Sequence, residues 1–107
     1  MVIHMTAQKY RFDPSPVHLK TGSQVRLFIQ AQDRPHGFSI NTYPDKAAST
    51  EALGLVFAHP EKCWRIEVGK DTEIDFEARQ PGTYAFKCCV FCGMGHMGMK
   101  GELIVDP

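Results

Sequence analysis

Short runs in which apolar and polar residues alternate cover most of the chain. This period of two is typical of β-strands that bury one face. Proline, glycine and small polar residues separate the runs, as in 21–23 and 80–82, and they predict turns between the strands. The predicted strands are 2–12, 17–20, 25–30, 38–40, 64–68, 73–77, 83–88 and 101–106.

Seven or eight short strands joined by turns predict an all-β sandwich. Residues 41–60 interrupt the pattern, because they contain Pro44, Gly54 and the helix-tolerant run 45–53. We therefore expect an excursion from the sheets at about 41–60, with one short helix in it. The length of 107 residues suits a single domain, 1–107, with one core.

Charge and hydropathy exclude several classes of function. Lys plus Arg number 12 and Asp plus Glu number 12, so the zero formal net charge argues against a basic nucleic-acid-binding surface. No stretch reaches the roughly 18 apolar residues that a membrane-spanning helix needs. The sequence also shows no serine triad, carboxylate pair or phosphate-binding glycine loop, so it does not point to an enzyme.

The cysteines are clustered rather than spread along the chain. Of the four cysteines, Cys88, Cys89 and Cys92 fall within five residues, whereas a disulfide framework would be spaced more evenly. The segment from Cys88 to Met99 has the spacing Cys-x3-Cys-x3-His-x2-Met. Thiolate, imidazole and thioether are soft ligands that together select copper. The segment is therefore predicted to be a metal-binding loop between two strands.

A second ligand segment is predicted around His36, since one loop rarely completes a metal site. Pro35 restricts the residue before it and Gly37 frees the residue after it, so His36 is expected at a defined turn. In a β-sandwich this turn and loop 88–99 can lie at the same end of the sheets. The ligand role of His36 depends on that pairing.

These segments together resemble the cupredoxin family, in particular the binuclear copper-A domain of cytochrome c oxidase subunit II and nitrous oxide reductase. Residues 12–14 and 17–22 resemble the opening strands of that domain, 33–38 its first-histidine motif, and 81–88 the strand that enters the metal loop. The loop with two cysteines is the specific part, because single-copper members of the fold use one cysteine. The resemblance implies a cupredoxin-like Greek-key β-sandwich and an electron-transfer protein rather than an enzyme.

The resemblance also implies a ligand set for two copper ions. The set comprises two bridging thiolates, two terminal imidazoles, one thioether and one backbone carbonyl oxygen: Cys88, Cys92, His36, His96, Met99 and Val90, in that order. Protein atoms would then occupy every position around the metals and leave none for a substrate. Valine at position 90 departs from the glutamate that the oxidase subunit usually carries there.

Other functions fit the same residues. A copper-delivery or copper-storage protein could use the thioethers of Met94, Met97 and Met99 together with the spare thiols. A mononuclear copper site could form on the same loop. A structural zinc site could use two cysteines and two histidines as a closed tetrahedron, which would leave Met99 without a role.

The remaining soft side chains are assigned other roles. Cys89 could bind metal, pair with Cys63 or remain free, and we expect a structural or free thiol rather than a third copper ligand. Strand alternation should point Cys89 away from Cys88. Met94 and Met97 are expected to form an apolar collar around the mouth of the site, where a redox partner would dock.

The family resemblance implies partners and a location as well. The expected partner is a redox protein such as a cytochrome c, an oxidase or a reductase, with no nucleic acid involved. We expect a periplasmic or otherwise extracytoplasmic location, with a leader or membrane anchor lying outside this sequence. Residues 1–6 lack the basic and apolar regions of a secretory signal.

Overall fold

The computed structural model describes residues 1–47 and 52–107. In these residues ten strands form two five-stranded sheets that enclose a common core, which confirms the predicted all-β sandwich. The sheet orders are β2-β1-β4-β8-β6 and β3-β10-β9-β5-β7. The strands are β1 Val2–Gln8, β2 Arg11–Asp13, β3 Val17–Lys20, β4 Gln24–Ala31, β5 His36–Ile40, β6 Leu55–Phe57, β7 Trp64–Ile66, β8 Thr72–Ala78, β9 Gly82–Lys87 and β10 Lys100–Asp106.

The first predicted strand is two strands. β1 and β2 pair antiparallel, with Gln8 opposite Arg11, so the chain turns at Lys9 and Tyr10. The alternation runs through this turn because neither of its two residues is a glycine or proline that would interrupt it. The turn matters for function, since both of its residues contact the segments that carry the candidate metal ligands.

The excursion at 41–60 contributes a strand to the first sheet. β6 pairs antiparallel with β8, and Leu55 and Phe57 point into the core. The short helix expected at 45–53 falls partly on residues 48–51, outside the described residues, and the described residues of the excursion contain no helix. Nowhere in 1–47 or 52–107 does a helix have the length and hydropathy to cross a membrane.

An aromatic cluster underlies one end of the second sheet. Phe38 on β5 and Phe86 on β9 lie 5.2 Å apart between ring centroids. Phe12 packs edge-on against both rings, at 5.7 and 5.3 Å. Side chains two residues apart on a strand share a face, so Phe38 lies below His36 and Phe86 lies below Cys88. The cluster is therefore a rigid floor beneath the two ligand segments.

Removing one buried hydroxyl tests how the turn before β9 is held. The Tyr84 ring is fully buried, and its hydroxyl donates to the carbonyl of Gln80 at 2.8 Å. Tyr84→Phe should lower the free energy of unfolding by about 1 kcal/mol, because that hydrogen bond is lost. Urea denaturation followed by circular dichroism measures the change. Tyr43→Phe, at a half-buried phenol, is the matched control, and equal midpoints for both variants would contradict the prediction.

Candidate metal centre

The two predicted ligand segments meet at one end of the second sheet. β5 pairs antiparallel with β9, with Ser39 opposite Lys87 and Ile40 opposite Phe86. The first residue of β5 therefore lies beside the residues that follow β9. Ligand atoms of His36, Cys88 and Cys92 lie within 4.8 Å of one another, and all three residues are buried.

The sequence predicted that His36 lies in a turn, and this prediction is wrong. His36 is the first residue of β5. It pairs with Ile66 of β7, and its side chain is fully buried. Pro35 ends the connection that precedes β5. The residues that follow this proline already pair with β7 in the sheet. A strand position fixes the imidazole more firmly than a turn would.

The cysteine loop folds its donor atoms around the two thiols. The Sγ atoms of Cys88 and Cys92 lie 3.6 Å apart. The Cys92 Sγ is 3.6 Å from Nδ1 of His96 and 3.8 Å from Sδ of Met99. The Cys88 Sγ is 3.1 Å from the carbonyl oxygen of Val90. The structure thus brings all the predicted ligand residues together, although their ligand role is an inference from this convergence.

A carboxylate orients the His36 ring. Asp33 Oδ1 lies 2.7 Å from Nε2 of His36, and the backbone amides of Lys9 and Arg34 each donate to the same carboxylate at 2.8 Å. Burial opposes ionisation of Asp33, but the bonds from Lys9, His36 and Arg34 outweigh it and lower its pKa to about 2. The ionised carboxylate holds the Nε2 side of the ring, so the other nitrogen, Nδ1, faces the thiols.

The donor set fits a soft metal ion. Nδ1 of His36 is buried and has no hydrogen-bond partner among the described residues. Buried polar atoms are rarely left unpaired, so an unpaired imidazole nitrogen beside two thiols indicates a position for a metal. Thiolate, imidazole and thioether donors suit copper, and the carboxylate–histidine contact is a common outer support of metal-bound histidines.

Both thiols at the centre are in the reduced form. Cys88 and Cys92 are the two cysteines without a disulfide in the described chain. Burial, together with the hydrogen bond and the charge of Cys88, raises the pKa of the Cys92 thiol to about 11. Cys92 is therefore protonated at neutral pH in the metal-free protein, and metal binding must displace that proton.

The two other cysteines form a disulfide. Cys63 and Cys89 are bonded to each other, which settles the alternatives that the sequence left open for Cys89 in favour of a structural role. The orientation of Cys89 away from Cys88 stays a prediction. Neither sulfur of this pair remains as a thiol ligand.

Three apolar side chains of the cysteine loop are exposed. Phe91, Met94 and Met97 are 70%, 97% and 87% exposed. The Phe91 ring lies 5.7 Å from the His96 ring, so this exposed patch adjoins a candidate ligand. The two methionines are exposed, and the collar predicted for them stays a prediction.

Two residues that support the site have no assigned role in the sequence analysis. The Tyr10 ring packs against Gly93 and Gly95 so closely that a Cβ at either glycine would overlap it. Asp33 holds His36 from three residues upstream. The Asp-x-x-His spacing was visible in the sequence, but the contact of Tyr10 depends on a turn that the alternation concealed.

Comparisons with known proteins identify the family of this chain. Residues 1–105 match the Cupredoxin-like domain family. The chain belongs to the cupredoxin family. It is similar to cytochrome c oxidase subunit 2 of Thermus thermophilus, with 23% identity over 96% of this chain and 64% of that protein. The cupredoxin chain thus spans just under two thirds of this relative's length.

Solved structures share the fold of this cupredoxin. One is the periplasmic domain of subunit II of cytochrome oxidase (CoxB) of Bradyrhizobium japonicum, with a TM-score of 0.73, 15% identity, and 98% and 83% of the two chains covered. Another is auracyanin A, a "blue" copper protein of Chloroflexus aurantiacus, with a TM-score of 0.68, 16% identity, and 99% and 98% covered. The fold therefore occurs both in an oxidase subunit and in a blue copper protein.

Asp33→Asn tests the support of His36. An amide cannot accept hydrogen bonds at both of its terminal atoms, so the variant should loosen the ring and lower copper affinity about 10- to 100-fold. Competition with a chelator of known affinity measures the change. Asp71→Asn, at an exposed carboxylate, is the matched control. Equal affinities for the two variants would show that Asp33 does not support the site.

Proposed function

We propose that this cupredoxin is an electron-transfer protein with a binuclear copper-A-type centre. The observation that carries the proposal is the pair of reduced, buried thiols 3.6 Å apart, Cys88 and Cys92. A single-copper cupredoxin needs one thiolate, whereas two thiols at this separation can be shared between two ions.

The other donors are enough for two ions. The Val90 carbonyl oxygen lies near Cys88, His96 and Met99 lie near Cys92, and the His36 imidazole lies within 4.8 Å of both thiols. Two shared thiolates, with one imidazole and one weak donor for each ion, use every donor in the cluster. One tetrahedral zinc ion would use both thiols and both imidazoles and leave the buried Met99 sulfur unused.

The burial of the metal-donor side chains supports an electron carrier rather than an enzyme. Copper bound there would accept and donate single electrons. His36, Cys88, Cys92 and Met99 are buried, so the protein side chains themselves fill the space in which a substrate would have to bind. A rigid, water-poor surround also limits the rearrangement that accompanies electron transfer.

The exposed patch of Phe91, Met94 and Met97 supports docking of a redox partner. Exposed apolar patches of this kind mark protein interaction sites, and this one adjoins His96, a half-buried candidate ligand. A partner such as a cytochrome c, an oxidase or a reductase would exchange electrons there. The likeness to a periplasmic oxidase domain supports an extracytoplasmic location, as does the disulfide.

Metal content and electron spin resonance test the binuclear centre. The copper-loaded protein should contain two coppers per chain and give the purple, mixed-valence spectrum that is expected of the copper-A family. Cys92→Ser and His36→Ala should each alter that spectrum. Removal of copper should lower the melting temperature of the protein, because the metal binds only the native state. His59→Ala, at an exposed histidine away from the cluster, is the control.

The alternatives predict different results in the same experiment. One copper per chain with a blue or red spectrum would indicate a mononuclear site. One tightly held zinc that copper does not displace would indicate a structural site. Copper that passes readily to an acceptor, with no reversible voltammetric wave, would indicate delivery or storage.

Replacing the exposed methionines tests the docking patch. Met94→Ser combined with Met97→Ser should slow electron exchange with a soluble cytochrome c, because the apolar contact area is lost, and leave the copper spectrum unchanged. Stopped-flow absorbance measures the second-order rate constant. Val2→Ser removes an exposed apolar side chain at the start of β1 and is the control. Equal rate constants for both variants would exclude the patch as the docking surface.

A further inference from the structure

The Cys63–Cys89 disulfide adjoins the candidate metal centre without belonging to its ligand set. We propose that this bond is a positioning element of the centre: it holds the cysteine loop against the strand that carries His36, so that the donor atoms stay together before metal binds. Its link to copper rests on the proposed function. The positioning itself concerns the chain alone and can be measured without metal.

The topology places the bond across the strand that carries His36. β5 lies between β9 and β7 in the second sheet. Cys89 follows the end of β9 by two residues, and Cys63 immediately precedes β7. The disulfide therefore joins the two segments that flank β5. It is a covalent link between the two neighbours of β5.

The contacts of Gly37 show how closely the disulfide packs against β5. A Cβ at Gly37 would lie 2.7 Å from the Cys89 sulfur and 2.7 Å from the Val90 backbone nitrogen. The Gly37 amide also donates to the Cys88 Sγ at 3.4 Å. The residue after His36 is thus in contact with the disulfide, with the loop backbone and with a candidate ligand. Movement of Cys89 away from Gly37 would move Cys88 and Val90 as well.

The pairing also determines which thiols face the site. Cys88 and Cys89 are adjacent. The Cys89 sulfur is bonded to Cys63, whereas the Cys88 Sγ lies 3.6 Å from the Cys92 Sγ. Without this partner, a free Cys89 thiol would lie beside the ligand thiols and could bind metal or form a wrong disulfide. The bond therefore keeps Cys88 and Cys92 as the reduced pair.

Thiol labelling of the metal-free protein tests the positioning. The variant that combines Cys63→Ala with Cys89→Ala removes the bond and leaves no spare thiol. Cys88 and Cys92 are buried, so they react with an alkylating reagent only when the loop opens. We expect labelling at least about tenfold faster in this variant than in the wild type.

Tyr84→Phe is the control for a loss of global stability, since Tyr84 lies in the core away from the loop. If both variants speed labelling only in proportion to their lower free energy of unfolding, the disulfide merely stabilises the fold and the proposal is wrong. A faster rate in the disulfide variant at matched stability supports local positioning.

A second measurement uses the wild-type chain, in case the variant does not fold. Cys63 is exposed, so a dithiol reagent can attack its sulfur, and Cys89 leaves as a thiolate that takes up a proton. The reagent's second thiol then displaces Cys63, which leaves two protein thiols and an oxidised cyclic reagent. Pulse alkylation and mass spectrometry compare opened and intact molecules in one sample. Faster labelling of Cys88 and Cys92 in opened molecules supports the proposal, and equal labelling overturns it.

Copper release separates this proposal from the proposed function. The disulfide variant should bind as much copper as the wild type but lose it to a chelator at least about tenfold faster. Equal rates of copper release from the variant and the wild type would show that the disulfide does not slow the loss of metal. If neither protein binds copper, the proposed function fails, while the labelling experiment still decides whether the disulfide positions the loop.

Discussion

The antiparallel pairing of β5 with β9 is the constraint on which the candidate metal centre depends. It places the start of one strand beside the end of the other, and so brings His36 to Cys88. A shift of this register by one residue would turn the His36 side chain to the other face of the sheet, away from Cys88. The contact of Phe38 with Phe86 directly below opposes such a shift. Losing either ring would cost about 3–5 kcal/mol.

Protons and hydrogen bonds keep the metal-free centre stable. Two buried thiolates at this separation would repel each other strongly in a medium of low polarity, so the raised pKa of Cys92 keeps that thiol neutral. The ionised group that supports the site, Asp33, lies at its edge, where its side chain is 34% exposed. The negative charge of the thiolates is therefore created only when a metal ion is present to neutralise it.

Contacts from different parts of the chain support the two ligand segments, namely the one that carries His36 and the cysteine loop. The β1–β2 turn contacts both: the Lys9 amide holds Asp33, and Tyr10 packs on the glycines of the cysteine loop. The disulfide contacts both from another direction, through Gly37. Several separate contacts of this kind suit a site whose donor atoms must hardly move. The surface around Phe91 remains accessible.

The sequence alone was sufficient for the sandwich and for naming the residues that converge at the candidate site. Alternation of apolar residues is a local property, and so is the spacing of Cys88, Cys92, His96 and Met99 along one loop. The tertiary structure decided what depends on distant pairing: that His36 begins a strand, that the first strand turns at Lys9, that 55–57 forms a strand, and that Cys89 bonds Cys63. No local pattern encodes these features, because each arises from contacts between segments that folding alone brings together.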